Sequence, residues 1–188
     1  MPLVAKLDCS DRTLLDAQPL NPEHHTADEV VRLLRLEPLD REGGYFRRTA
    51  EGGPDGSGRR AWSSIHSLLT PDGFSAMHRL TVDEIWCFHA GDPLELLQLR
   101  PDGSGGWVRL GANPAAGESL QVVVPAGTWQ GARVAAGGRW ALQSCVTVPE
   151  FDWAGFELGE RAALVAAYPA WSAAVLALTR SHPPHGQR

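Results

Sequence analysis

From Gly43 onward the sequence consists of short apolar or alternating runs that are separated by segments rich in Gly, Pro and Asp. Runs of this length, bounded by turn-forming residues, are typical of antiparallel strands. The predicted strands are residues 45–49, 61–69, 74–81, 84–89, 94–99, 107–110, 121–124, 131–134 and 140–148. Because no helical pattern interrupts them, the chain is predicted to fold as a mainly β sandwich or barrel.

The residues before and after these runs have a different character. Residues 1–25 mix polar residues with prolines and predict an N-terminal extension. Thr26 and Glu29 form a capping-box pattern, which predicts a short amphipathic helix directly after the extension. The last residues of the chain are polar and contain proline, as in disordered segments. We therefore expect one barrel domain over residues 26–170, followed by a C-terminal tail over residues 171–188.

Length and charge restrict the class of protein. A chain of 188 residues fits one domain with one buried core. Its formal net charge of −5 opposes binding to a nucleic-acid backbone, which needs a concentrated basic surface. The three cysteines are widely spaced, and neither a leader pattern nor an apolar run of membrane length is found. We expect a cytoplasmic protein whose partner is a small molecule rather than nucleic acid or a membrane.

Two segments in the middle of the chain carry the motifs that point to a family. Residues 74–93 read FSAMHRLTVDEIWCFHAGDP, and residues 124–130 read VPAGTWQ. Together with REGGYF at 41–46 and FDW at 151–153, they resemble a branch of uncharacterised single-domain cupins. The resemblance implies a jelly-roll barrel with an interior pocket and short flanking helices, and a homodimer in which an N-terminal strand completes a neighbour's sheet. Because cupins host many different reactions, the resemblance leaves the function open.

The cupin resemblance also implies a metal site, for which the first motif supplies two His and one Glu and the second motif another His. In this chain His78 and Glu84 occupy two of these positions, but Leu80 and Gln130 stand where the other two His are expected. An amide is a weaker transition-metal ligand than an imidazole. The pocket therefore binds one divalent ion (Fe, Ni, Mn or Zn), or it is metal-free and the same side chains form hydrogen bonds. The candidate ligands are His66, His78, Glu84 and Gln130.

His66 is a candidate because of its position in the predicted strand 61–69. If this strand forms a hairpin with the strand 74–81, a loop of odd length places His66 opposite His78, about 5 Å apart at Cβ. A loop of even length places it opposite Met77, and the register stays open. Facing the pocket, His66 would supply a nitrogen ligand or a general base. The alternative is a structural histidine that is hydrogen bonded to a backbone carbonyl.

Aromatic and carboxylate side chains complete the predicted pocket. Strand parity and turn geometry predict that Trp86 and Trp129 line the pocket, with Glu42 at its mouth. Aromatic walls suit a flat or sugar-like organic ligand. The predicted substrate-binding residues are Glu42, Tyr45, His78, Trp86, Trp129 and Gln130.

The predicted chemistry follows from titratable groups that converge in an apolar barrel, where desolvation shifts their pKa values. We expect an enzyme that catalyses proton transfer, such as isomerisation, epimerisation, cyclisation or elimination, on a polar organic substrate. Glu84 and His66 are the predicted acid–base residues. Two alternatives stay open: a metal-dependent oxygenase, which Leu80 and Gln130 disfavour, and a noncatalytic protein that binds a small molecule.

Overall fold

The computed structural model describes residues 18–180, and their strands form two antiparallel sheets. Most of the predicted N-terminal extension and part of the C-terminal tail, residues 1–17 and 181–188, lie outside the described residues. The strands are β1 (Glu37–Pro38), β2 (Tyr45–Glu51), β3 (Ser63–Leu69), β4 (Ser75–Leu80), β5 (Asp83–Gly91), β6 (Leu94–Leu99), β7 (Gly105–Leu110), β8 (Gln121–Val124), β9 (Trp129–Val134), β10 (Ala141–Val148) and β11 (Phe156–Leu158).

The larger sheet has six strands in the order β1-β2-β3-β10-β5-β8, and the smaller has five in the order β11-β4-β9-β6-β7. The nine predicted strands are confirmed as β2 to β10, with ends that differ by at most two residues. The very short strands β1 and β11, one at an edge of each sheet, were not predicted. The architecture is mainly β, as expected for a jelly-roll barrel.

The connection between β3 and β4 differs from the predicted hairpin. Thr70 and Gly73 form the isolated bridge of a tight turn, but the strands on either side enter different sheets. β3 pairs with β2 and β10, whereas β4 pairs with β9 and β11. The turn therefore crosses from one sheet to the other, and the strands that it joins lie on opposite walls of the barrel.

The space between the sheets is filled by an apolar core. Its members alternate along the strands with outward residues, as the two-residue period of a strand requires. They include Leu69, Trp86, Leu94, Leu96, Val124 and Cys145. Burying a side chain the size of Val or Leu stabilises a fold by about 1.5–3 kcal/mol, so this layer is the main source of the barrel's stability.

Helices cover the outside of both sheets. The helix α1 (Ala27–Leu34) packs Val30 against Leu68 and Trp140 on the six-stranded sheet. The capping box is confirmed, because Thr26 Oγ1 accepts from the Glu29 backbone while the Glu29 carboxylate accepts from Thr26 N at 2.8 Å. No helix within residues 18–180 has the length and apolar character needed to cross a membrane.

Two further helices, α2 (Arg161–Ala167) and α3 (Ser172–Ala177), cover the outside of the five-stranded sheet. Leu164 and Val175 pack there against Met77 on β4 and Leu99 on β6. The outward side of β4 is therefore buried under helices, while its other side faces the barrel interior.

Candidate functional site

A cavity of about 120 Å³ lies between the two sheets and is lined by strands of both. Strand parity decides which residues reach it, since alternate positions of β3, β4 and β10 face inward. Its polar lining consists of Glu42, Arg48, Ser63, His78, Glu84 and Thr147. The cavity thus brings two carboxyl groups and an imidazole into one largely apolar space, which is the usual arrangement of a small-molecule site.

Glu84 is the more buried of the two carboxyl groups in the cavity, and only 7% of it is exposed. Its Oε2 accepts hydrogen bonds from Gln130 Nε2 at 2.5 Å and from Trp86 Nε1 at 3.2 Å. Trp86 Nε1 also contacts Gln130 Oε1 at 3.0 Å, which fixes the orientation of the amide. The second carboxyl oxygen, Oε1, takes part in neither bond.

Burial raises the pKa of Glu84 to about 7. Loss of water around the carboxylate is the main cause, and the negative charge of Glu42 raises the pKa further. His78 and the hydrogen bonds from Gln130 and Trp86 act in the opposite direction. A carboxyl group near the midpoint of its titration at neutral pH can both give and take a proton.

His78, on β4, lines the same cavity and is 1% exposed. Its Nδ1 lies 2.8 Å from the backbone oxygen of Ala76, so Nδ1 carries a hydrogen and donates it. The ring of Phe156 stacks on the imidazole with centroids 5.3 Å apart. These two contacts orient the ring, and Nε2 lies 3.9 Å from Glu42 Oε2. In the neutral imidazole Nε2 is therefore an acceptor.

Glu42 reaches the cavity from the loop before β2. Its Oε1 accepts from Ser75 Oγ at 2.5 Å, and its backbone oxygen accepts from Arg180 Nη1 at 2.9 Å. The next residue, Gly43, has φ +113°, and a Cβ there would overlap the backbone oxygen of Phe74. A glycine is thus required for the close approach that holds the Glu42 carboxylate over the pocket.

Three aromatic residues that were not predicted as site residues, Phe46, Phe151 and Trp153, line the cavity on its open side. Trp153 is 45% exposed and meets Phe151 edge to face, with centroids 4.9 Å apart. We call these three residues the aromatic rim. Phe151 and Trp153 belong to the FDW motif that supported the family resemblance, and Phe46 follows from the parity of β2 once Tyr45 faces outward.

Arg48 also lines the open side of the cavity and was not predicted. Its Nη1 lies 3.3 Å from Glu51 Oε2 and 3.8 Å from Glu150 Oε2. Two carboxylates therefore share this guanidinium, which remains partly exposed to solvent.

His66 lies opposite neither His78 nor Met77, because the hairpin on which both predicted registers rested does not form. The reason is the crossing turn, which puts β3 and β4 in different sheets. His66 pairs with Arg47 and Ser144 in the six-stranded sheet, and its ring meets His89 edge to face at 5.8 Å. Desolvation, followed by the charges of His89 and Arg47, lowers its pKa. His66 is therefore absent from the cavity lining.

Trp129 and Tyr45 are also placed outside the cavity, contrary to expectation. Because Gln130 points inward, its neighbour Trp129 points outward and packs under the C-terminal helices with Leu164. Tyr45 packs on the opposite outer face, against the cluster that α1 covers. Trp86 does point inward, but it is part of the core, where its indole N–H donates to Glu84 and Gln130.

The donor atoms of the cavity do not fit the metal site that the resemblance implies. Both ends of the Gln130 amide are engaged, one with Trp86 and the other with Glu84. Leu80 lines the cavity with a side chain that has no donor atom. Within residues 18–180, no three His, Cys, Asp or Glu side chains are grouped as metal ligands. Of the four ligand positions of the cupin pattern, His78 and Glu84 therefore keep their donor atoms, Gln130 has both ends of its amide engaged, and Leu80 has no donor.

Comparisons with known proteins identify the type of barrel. The model of a family described as Cupin superfamily (DUF985) matches residues 28–159. The X-ray structure of protein SO0799 from Shewanella oneidensis is 37% identical, covers 84% of this chain and 99% of its own, and has a TM-score of 0.79. A hypothetical protein from Leishmania major is 33% identical, covers 84% of this chain and 100% of its own, and has a TM-score of 0.77.

More distant structures agree in fold alone. A mutant of oxalate decarboxylase from Bacillus subtilis is 13% identical, with a TM-score of 0.51 over 80% of this chain and 38% of its own. No curated protein matches the chain.

Proposed function

The chain belongs to the cupin superfamily, in the group described as DUF985, and from this premise we propose that it is an enzyme that transfers protons on a small polar organic molecule. Isomerisation, epimerisation, cyclisation and elimination are reactions of this kind. The observation that carries the proposal is Glu84, a buried carboxyl group that lines the cavity with a pKa of about 7. Acid–base catalysis is most efficient when the pKa of the group lies near the working pH.

His78 takes the place of His66 as the second acid–base group. Its Nε2 faces the cavity, while the bond from Nδ1 to Ala76 holds the ring in one tautomer. Glu42, 3.9 Å from Nε2, would stabilise the imidazolium that forms when Nε2 takes a proton. Glu84 and His78 could then act in turn, one removing a proton from the substrate and the other returning a proton elsewhere.

Exchange of substrate hydrogens with heavy water tests the proposal across many candidate substrates at once. The purified chain is incubated in D₂O with a pool of small metabolites, which are then analysed by mass spectrometry. We expect one compound to gain carbon-bound deuterium or change identity with the wild type, but not with Glu84→Gln or His78→Gln. The control is Glu95→Gln, because Glu95 pairs with Arg133 away from the cavity lining.

The outcomes separate catalysis from binding. Exchange that persists in both Glu84→Gln and His78→Gln contradicts the roles given to these residues. A compound that is bound but never exchanged or altered by the wild type makes the protein a noncatalytic binder, which is the alternative class of function.

A further inference from the structure

The polar lining of the cavity includes three hydrogen-bond acceptor atoms that have no donor from the described residues. Glu84 contributes Oε1, because both of its hydrogen bonds go to Oε2. Glu42 contributes Oε2, because Ser75 donates to Oε1. His78 contributes Nε2, since its hydrogen is on Nδ1. A ligand that satisfies these atoms must itself supply several hydrogen-bond donors.

The two hydroxyl groups of the lining add few hydrogen-bond donors to set against these three acceptors. Ser63 Oγ and Thr147 Oγ1 lie 3.1 Å apart and bond to each other, so one of the two hydroxyl hydrogens is used between them. Ser63 Oγ also accepts from the backbone N–H of Phe151 at 3.0 Å. The pair therefore offers a ligand at most one hydrogen, against three acceptor atoms nearby.

The charge of the lining favours the same kind of ligand as the excess of hydrogen-bond acceptors does, namely a hydrogen-bond donor with a positive charge. Arg48 is the one guanidinium among the lining residues, and Glu51 and Glu150 already flank it. Glu42 and Glu84 have no comparable cationic partner apart from the His78 imidazole. A carboxylate or phosphate ligand would therefore meet two carboxyl groups without an unshared guanidinium to hold it.

We propose that the cavity binds a small organic cation with a primary ammonium group, whose three N–H donors meet Glu42, Glu84 and His78. This inference rests on the proposed function, in which the same cavity holds the substrate. The ammonium lies among these three side chains. The carbon skeleton extends outward between the sheets.

The aromatic rim fits the remainder of such a ligand. Phe46, Phe151 and Trp153 surround the open side of the cavity with apolar surface on which an alkyl chain or a ring packs. Arg41 already lies over the Trp153 ring at 5.0 Å, so the rim offers the ligand apolar surface rather than a further cation site.

Three probes of nearly equal shape test the charge that the cavity selects: benzylamine, benzyl alcohol and benzoate. Their binding to the full chain is measured by calorimetry at about pH 8, where a carboxyl group with a pKa of about 7 is ionised. We expect benzylamine to bind at least about tenfold more tightly than benzyl alcohol, and benzoate not to bind. In Glu42→Gln and Glu84→Gln this preference should fall about tenfold, whereas Glu95→Gln should keep it.

A preference of the wild type for benzoate overturns the proposal, and that result needs no variant to fold. An amine affinity that is unchanged in both Glu42→Gln and Glu84→Gln overturns it as well. The deuterium experiment separates this outcome from the proposed function. If deuterium exchange depends on Glu84 but the wild type prefers benzoate, the proposed enzyme stands and the cationic substrate is wrong. If amine binding depends on Glu42 and Glu84 but no compound exchanges, the cation site stands and the proposed enzyme is wrong.

Discussion

Replacing Glu84 by Gln tests the buried carboxyl group directly, because the amide resembles the protonated acid and cannot ionise. In the folded chain the pKa of Glu84 is about 7, against an ordinary value of 4.5. Between these pH values the folded protein holds a proton that the unfolded chain has released. The raised pKa therefore stabilises the fold fully below pH 4.5, and this contribution is lost as the pH rises through about 7.

At about 1.36 kcal/mol per pKa unit, the stabilisation that is lost amounts to about 3 kcal/mol. Urea denaturation between about pH 4.5 and about pH 8 measures it as the free energy of unfolding. We expect this free energy to fall by about 3 kcal/mol more in the wild type than in Glu84→Gln. Glu95→Gln should follow the wild type, since Glu95 is partly exposed and paired with Arg133 at 2.8 Å. Parallel profiles for the wild type and Glu84→Gln would refute the assignment of the raised pKa to this residue.

Four further outcomes are expected. Glu42→Gln removes a charge that raises the pKa of Glu84, so the pH-dependent loss of stability should move to lower pH; an unmoved midpoint contradicts this coupling. Gln130→Leu removes a donor to the buried carboxylate and should cost about 1–3 kcal/mol of unfolding free energy in urea at about pH 8, where no loss would contradict the bond. His66→Ala should leave benzylamine binding in calorimetry unchanged, because His66 lies outside the cavity lining; weaker binding contradicts that placement. Light scattering should give twice the mass of one chain for the homodimer that the family resemblance predicts, and the mass of a single chain contradicts it.

The cupin resemblance placed His78 and Glu84 inside the barrel, and strand periodicity then predicted which of their neighbours also point inward. Residues two apart on a strand share a face, so a motif that places one of them inside places its partners there too. Glu84 and Trp86 on β5 both point inward, as do His78 and Leu80 on β4. The same rule would have placed Trp129 outside, because its neighbour Gln130 is inside. There the prediction relied on turn geometry instead of parity.

The position of His66 could not be predicted, because it depends on which strands pair. The turn at Thr70 and Gly73 has the residues of a hairpin, and its local chemistry is the same whether the next strand returns or crosses to another sheet. That choice is made by distant pairings, β3 with β10 and β4 with β9. The aromatic rim is a similar case, since Phe46 and Phe151 are far apart in the sequence and line one cavity only through the tertiary fold.

The two departures from the metal-binding pattern act on the pKa of Glu84 in opposite directions. The amide of Gln130 donates a hydrogen bond to Glu84. A metal-binding imidazole at this position would instead bind the same cation as Glu84. With Leu80 in place of a second imidazole, the water and the charge that keep a carboxylate ionised are both reduced. A carboxyl group in such surroundings titrates near neutral pH and becomes sensitive to the charge of whatever enters the cavity. Leu80 thus adds apolar surface around Glu84, in line with the desolvation that raises its pKa, whereas the hydrogen bond from Gln130 acts in the opposite direction.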